Sequence, residues 1–442
     1  MTTQDVGDRS SRIAVDRSHR KSRRAALAGG VGTLIEYYDF SLYGYMAVVI
    51  APMFFPSDDP VTSLLSALAV FGTAYLIRPL GGIVFGHIGD RFGRKKALMA
   101  TLICMGVGST AMGLLPTPAQ IGIWATVLLV LIRVIQGFSA GGEFGAATAY
   151  LIAQNGKRKG FLGSWPQFGV PMGLLLSTAI TALTVTLAGS ATFEAWAWRI
   201  PFLLSIVLVA IGLWIRLGIL ETPVFQKLLA ENKVERAPIV EVVKKQPKEV
   251  CLSALLRMGQ QSPFYIFTAY VFAYGTAILH MSRDFILTAV MVASVVSFFS
   301  IPIFGHLSDV IGRRKMYLIG VVICALFAFL YFGMLDTANP TLVFIAIVVS
   351  LIPHDMMYGP QAALIAEAFT PRLRYSGSSL GYQFASVIAG GPAPLIATAL
   401  FAQYHTGYAI AIYLAVCGVI SFVSTWYMPD YTGKDVAAEY DR

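Results

Sequence analysis

The sequence predicts an all-α membrane protein of twelve transmembrane helices arranged as two pseudo-symmetric six-helix halves. Three observations carry that expectation. Of the 442 residues, 56% are hydrophobic and only 13% are charged, with a mean hydropathy of +0.67; soluble domains carry roughly a quarter charged residues. Apolar runs fall at twelve places, each long enough for a spanning helix of about 20 residues. Finally, the stretch Gly86-His87-Ile88-Gly89-Asp90-Arg91-Phe92-Gly93-Arg94-Lys95-Lys96 returns half a chain later as Gly305-His306-Leu307-Ser308-Asp309-Val310-Ile311-Gly312-Arg313-Arg314-Lys315. Gly, Asp, Gly and a basic cluster recur in register, each time after the second apolar run of a half. A chain built twice from one plan suits a transporter, whose repeats rock around a site between them.

Residues 1–24 are polar and lack the apolar core and cleavage site of a signal peptide, so a disordered cytoplasmic tail is expected. Its basic end, Arg20-Lys21 and Arg23-Arg24, holds the start of the first helix inside. In the first bundle, 25–220, the apolar runs predict α1 at 25–50, α2 at 63–86, α3 at 97–115, α4 at 121–153, α5 at 161–187 and α6 at 200–217. Residues 221–249, with Pro223, Pro238, Pro247 and a basic excess, read as a cytoplasmic linker. In the second bundle, 250–428, the runs predict α7 at 251–280, α8 at 285–304, α9 at 316–335, α10 at 341–368, α11 at 375–402 and α12 at 407–428, before a cytoplasmic tail at 429–442.

The net charge of +9 does not point to nucleic acid, because Lys and Arg collect in alternate loops. That is the positive-inside pattern of a multi-pass protein of the cell membrane, here with both termini cytoplasmic. Glu194, Trp196 and Trp198 read as an interfacial belt on the opposite side. The four cysteines, Cys104, Cys251, Cys324 and Cys417, lie in apolar runs without metal spacing and read as small buried hydrophobes. No metal or cofactor is expected. There is no P-loop for ATP and no nucleophile or metal motif for an enzyme.

The doubled motif resembles the loops between helices 2 and 3 and helices 8 and 9 of the major facilitator superfamily. The likeness narrows at Glu36-Tyr37-Tyr38-Asp39-Phe40, Arg78-Pro79-Leu80-Gly81-Gly82, Gln136-Gly137-Phe138-Ser139-Ala140-Gly141-Gly142-Glu143 and Trp198-Arg199-Ile200-Pro201-Phe202, which are similar to the metabolite:proton symporter family. Gly163-Ser164-Trp165-Pro166-Gln167, His354-Asp355, Arg374-Tyr375-Ser376-Gly377 and Gly381-Tyr382-Gln383 lean towards its shikimate-transporter branch. The resemblance runs from about Arg23 to about Met428. It implies the major facilitator fold and import of an organic acid with protons.

A charge inside a spanning helix costs several kcal/mol, roughly 2.5–3.5 on insertion scales, so each asks for a partner and a reason. Glu36 and Asp39, three apart, share one face of α1. Two carboxylates on one face repel, and one of them taking up a proton is the requirement of a proton-coupled carrier; permanent pairing with arginines is the alternative. Arg133 in α4 is the natural partner of that pair and can also hold a carboxylate ligand bidentately. Gly137, Gly141 and Gly145 repeat at spacings of four, a pattern for close helix packing. Glu143, among them, is either a further proton-carrying group or the partner of the basic residues of the first motif. In α7, Arg257 either faces an anionic ligand or snorkels out, with Gln260, Gln261 and Tyr265 beyond it. His354 and Asp355 in α10 are flanked by Pro353 and Gly359-Pro360, breakers tolerated where backbone lines a cavity or packs on protein. They read as a proton or hydroxyl ligand, or as a bridge between helices. Tyr37, Gln136, Trp165, Gln167, Tyr382 and Gln383 supply further aromatic and amide groups for binding.

In the motif, Asp90 is expected at the inner end of α2 and Arg94 in the turn after it. The carboxylate can accept hydrogen bonds from a helix N-terminus of the other half, which makes Asp90 and Arg94 a gate. Asp309, Arg313 and Arg314 would form the second. The function expected is symport of protons with a small organic acid such as shikimate. Dicarboxylates (2-oxoglutarate, citrate), aromatic acids and zwitterionic compatible solutes are alternatives, and a non-transporting membrane sensor is an alternative of another class. Partners are then the acid, protons and the lipid bilayer. One chain contains both halves and would suffice as a monomer.

Overall fold

The computed structural model describes residues 29–47, 49–58, 60–152, 159–218, 226, 230 and 238–433. The tail expected at 1–24 and most of the linker expected at 221–249 lie outside these residues. Ten helices among them are long and apolar enough to cross a membrane: α2 Pro60–Phe92, α3 Arg94–Gly113, α4 Ile123–Ile152, α5 Lys159–Ala188, α6 Arg199–Leu217, α8 Arg283–Ile311, α9 Arg313–Leu335, α10 Pro340–Ala368, α11 Arg374–Tyr404 and α12 Gly407–Tyr427. The other two, α1 and α7, are more polar or more broken. α1 is helical at 29–47 and 49–54.

α7 is built of pieces: Pro247–Leu256, Met258–Tyr265, and single wide turns at Ile266–Tyr270 and Tyr274–Ile278 around Val271–Ala273. The first break falls at Arg257, and Pro263 follows within the next piece. The break frees the Leu256 carbonyl, which accepts from Tyr317 Oη (2.9 Å) and from Ser421 Oγ. Such irregular backbone survives at membrane depth because protein groups satisfy it.

α2 and α8 run further than their apolar stretches suggest, through the first half of each motif copy. The motif glycines explain the rest of the geometry. Gly93 (φ 113°) and Gly312 (φ 101°) break α2 from α3 and α8 from α9 at backbone angles that glycine alone adopts readily. Arg94 therefore opens α3 rather than sitting in a turn. Gly86 and Gly305 allow close approach between halves: a methyl on Gly86 would lie 3.1 Å from Ser376 Cα of α11, and one on Gly305 would lie 2.7 Å from Ser164 Cβ of α5. Thus α2 crosses α11 as α8 crosses α5.

Within each half the tightest crossing also repeats. A methyl on Gly141 of α4 would lie 2.0 Å from the Arg78 carbonyl of α2, and one on Gly359 of α10 would lie 2.8 Å from the Ile301 carbonyl of α8. The bundle is inverted relative to a soluble protein. Leu187, Trp214 and Ile123 are more than two-thirds exposed, while Glu36, Asp39, Arg133, Arg257 and Asp355 are buried.

Two expectations fail here. Trp198 is not part of an interfacial belt: it is fully buried against Phe54 and Phe202, while Trp196 alone of the pair is exposed. Cys251 is exposed and Cys104 half-buried, so only Cys324 and Cys417 are buried hydrophobes. The first error arose because aromatic residues near a helix start also serve as packing anchors, the second because an apolar helix in lipid has an outer face.

The α2–α4 crossing predicts that Gly141→Val destabilises the protein by about 1–3 kcal/mol, the usual cost of overpacking against backbone that cannot yield. Thermal unfolding of the detergent-solubilised protein, followed by tryptophan fluorescence, should show a lowered midpoint; an unchanged midpoint would mean the two helices are not in contact.

Candidate functional site: a closed cavity between the halves

The helix 1 carboxylates take different partners. Asp39 lies 3.6 Å from Arg133, and neither of its oxygens makes a hydrogen bond. Glu36 instead pairs at 3.1 Å with Arg78 of α2. Both guanidiniums rest on rings, Arg78 over Phe40 and Tyr75, Arg133 over Phe40, Tyr43 and Phe71. Aromatic faces attract cations in a dry site. Gln136 accepts from Arg133 Nη1 (2.7 Å) and donates to Ser109 Oγ (3.4 Å), so it positions the arginine. Arg78 is the residue the sequence reading missed. An arginine in mid-helix was signal enough, but it was absorbed into the motif around it.

Glu143 belongs elsewhere. It binds Arg216 at the end of α6 and accepts from Thr101 Oγ1 of α3 (2.6 Å). Arg216 also donates to the Leu98 carbonyl. Of the two readings offered for Glu143, pairing with the basic residues of the first motif is not what the fold makes. The charge is neutralised inside the first half by Arg216, a residue the sequence reading did not single out.

Between the halves lies a cavity of about 10 Å³, lined by Tyr37, Arg257, Gln260, Gln261, Phe264, Tyr265 and Tyr358. Arg257 is buried rather than snorkelling. Its Nε donates to Gln361 Oε1 (3.2 Å), its Nη1 donates to the Tyr382 carbonyl, and its guanidinium lies over the Tyr382 ring. Tyr382 in turn stacks on Phe144 of α4, so the arginine is held by both halves. Gln261 Nε2 donates to Ser386 Oγ (3.0 Å), at the wide turn Ser386–Gly390 of α11. Tyr265 Oη donates to Tyr75 Oη across the interface (3.0 Å).

A second cavity of the same size lies alongside, between α5 and α7, α8 and α10, and His354, Phe264 and Tyr358 are in its wall. His354 Nδ1 lies 2.8 Å from Asp355 Oδ1, and Ser300 Oγ of α8 donates to Asp355 Oδ2. Three further expected ligands sit apart from both cavities. Gln167 reaches the Tyr358 carbonyl at 3.5 Å, and Gln383 donates to the Gly141 carbonyl (3.0 Å) across the halves. Trp165 packs on Phe161 and Phe168.

At the basic end the two halves are locked together. Asp90 Oδ2 accepts from Ser376 N (2.9 Å) and Ser376 Oγ (2.7 Å) in the first turn of α11, and Arg94 Nη2 donates to the Pro371 carbonyl (3.1 Å). Asp309 accepts from Gly160 N (2.8 Å) and Phe161 N (2.9 Å) in the first turn of α5. Each carboxylate thus sits on a helix N-terminus of the opposite half, where the backbone dipole favours an anion. Arg313 binds Asp309 (3.0 Å) and Glu367, and Glu367 faces Lys159 of the first half at 3.7 Å. Arg314 differs from the expected gating role in its contacts: it donates to the Trp426 and Met428 carbonyls at the end of α12, within its own half.

Residues 25–248 match the family model described as "Sugar (and other) transporter", and residues 250–440 match that of the "Major Facilitator Superfamily". The shikimate transporter of Escherichia coli is 39% identical over 93% of this chain and 95% of its own length. An inner membrane metabolite transport protein of the same organism is 37% identical over 91% of this chain and 92% of its own. Among solved structures, the proton:xylose symporter XylE bound to 6-bromo-6-deoxy-D-glucose superposes with a TM-score of 0.80 at 17% identity, covering 95% of this chain and 98% of that one. The paired halves, the twice-built lock and these similarities agree, and the chain is a membrane transporter belonging to the major facilitator superfamily.

Proposed function

We propose that this transporter is a proton-coupled symporter that imports a small cyclic organic acid, shikimate or a close relative, by alternating access. The observation that carries the substrate class is Arg257, the cation of the cavity wall. Its Nε and Nη1 hold protein acceptors, which leaves Nη2 to meet a carboxylate. The amides of Gln260 and Gln261 and the hydroxyls of Tyr37, Tyr265 and Tyr358 offer partners for the hydroxyls of a ligand, and their rings offer it apolar faces. One guanidinium balances one carboxylate. A dicarboxylate or citrate would bring a charge with no cation among the lining residues, a costly arrangement in a membrane interior. The 39% identity to a shikimate transporter supports the same class.

The cavity of about 10 Å³ holds no more than a water. An acid therefore enters only after the halves rock apart, and the described conformation is a closed one. The positive-inside pattern assigns the basic end to the cytoplasm, so the contacts of Asp90 and Asp309 close the cytoplasmic side. Asp39 is the group we assign to proton coupling. Its contact with Arg133 is loose beside the Glu36–Arg78 pair, so a proton binding to the Asp39 carboxylate gives up the lesser pairing.

Two outcomes test this reading. In proteoliposomes with an inward proton gradient, shikimate should accumulate, and Asp39→Asn should reduce that accumulation by about tenfold or more; equal uptake by the variant removes Asp39 from the coupling. For the gate, Asp90→Asn gives up charge-assisted hydrogen bonds of about 1.5–3 kcal/mol each. A single cysteine placed at Ser379 in an otherwise cysteine-free protein should then react several-fold faster with a reagent supplied from the cytoplasmic side. An unchanged rate means Asp90 does not hold that side shut.

A further inference from the structure

A chain of hydrogen bonds runs from the cavity guanidinium into the second half. Arg257 Nε donates to Gln361 Oε1 (3.2 Å), Gln361 Nε2 donates to Gln260 Oε1 (3.2 Å), and Gln260 Nε2 meets His354 Nε2 at 2.6 Å. His354 Nδ1 then meets Asp355, and Ser300 closes the chain on the other carboxyl oxygen. The Gln260 orientation follows from its bond to Gln361, which takes the carbonyl oxygen and turns the N–H groups towards His354. His354 Nε2 is then an acceptor, and the ring proton sits on Nδ1, pointing at Asp355.

Asp355 is fully buried in α10, and among the described residues no Lys or Arg pairs with it. As a bare carboxylate it would be a net charge among neutral groups in the membrane interior. One added proton removes that charge. Ser300 fits either state, because its Oγ also lies 3.3 Å from the Ser297 carbonyl. With a proton on Asp355 Oδ2, the carboxyl donates to Ser300 Oγ and the serine donates to the Ser297 carbonyl. Once the proton has left, the serine hydroxyl turns back to the carboxylate. Rotation of one hydroxyl satisfies both states.

From α7 the pair faces Gln260 and the Phe264 ring, from α8 Ser297 and Ser300, from α10 the Tyr358 ring, and across the second cavity from α5 lie Val170, Pro171 and Leu174. His354 and Ser297 both line the second cavity, at the interface that rocking opens. Water reaching that space would bring the proton from one side and take it to the other.

We propose that His354 and Asp355 form a proton-binding site of the second half, wired to Arg257 through Gln361 and Gln260, so that an anion in the cavity and a proton on the pair favour each other. The wiring to an anion rests on the transport reading above; the proton site does not. Infrared titration of the protein in lipid nanodiscs, without substrate, reads the C=O stretch of protonated carboxyl groups. A titrating band should be present in the wild type and in Asp39→Asn and be missing in Asp355→Asn. Its midpoint should move by about one pH unit in Gln260→Leu, which removes the amide that faces His354. If all carboxyl bands are the same in folded Asp355→Asn as in the wild type, the site is refuted. Should that variant not fold, His354→Gln and Gln260→Leu decide: bands unmoved in both refute it equally. With shikimate added, the wild-type midpoint should rise and the Gln260→Leu midpoint should not. A wild-type band that titrates but ignores shikimate, in protein that transports it, upholds the proton site and overturns the wiring to Arg257.

Discussion

A charge in hydrocarbon must be paired, and the pairing of the buried charges organises this transporter. Some pairs stay inside one half. Glu143 with Arg216 and Glu36 with Arg78 tie α4 to α6 and α1 to α2, and such pairs persist however the halves move. Other contacts cross the interface, among them Asp90 on α11 and Asp309 on α5. These must break when the basic end opens. The division between the two kinds is physical. A carboxylate that bridges halves is satisfied by backbone N–H groups, which water can replace at the membrane surface. Glu36 and Glu143, each deep in one half, are satisfied by a guanidinium, which nothing in lipid can replace.

The motif itself follows from that division. Its first glycine lets a helix of the other half approach, its aspartate holds that helix's N-terminus, and its second glycine supplies the positive φ that starts the next helix. The two copies make the same contact with different helices, α11 and α5, as a pseudo-two-fold axis requires. They are not equal in what surrounds them. Around Asp309, Arg313 and Glu367 add a buried ion cluster that reaches Lys159, while Asp90 adds the hydroxyl of Ser376.

The fold was legible because it depends on composition and repetition. Apolar runs give the helices, and the doubled motif gives the halves. Helix ends were less legible, since α2 and α8 continue through polar residues that one-dimensional hydropathy ends too early. At the site, the sequence pointed to Asp39, Arg133, Arg257 and His354 because a polar group in a spanning helix is conspicuous. It did not say who pairs with whom. Arg78 and Arg216 were passed over, and Glu143 acquired the wrong partner, because pairing depends on the rotation of each helix about its axis. A pattern of period 3.6 fixes that rotation only when one face is apolar and the other polar, and helices buried on several sides have no such contrast.

The break in α7 shows why the site sits where it does. An intact helix would spend its carbonyls internally and turn its side chains evenly around the axis. The interruption at Arg257 hands the Leu256 carbonyl to Tyr317 and Ser421, and so commits α9 and α12 to holding the broken end in place. Arg257 is then fixed from two sides by Gln361 and the Tyr382 carbonyl. Since Tyr382 also stacks on Phe144 of the first half, any movement of the halves changes the surroundings of this guanidinium. On the proposed reading, a cation whose partners are reorganised by the same motion that opens the cavity would hold an anionic ligand differently in the two states. Such a difference lets a bound ligand bias the balance between the two states, since a ligand held equally in both would shift nothing.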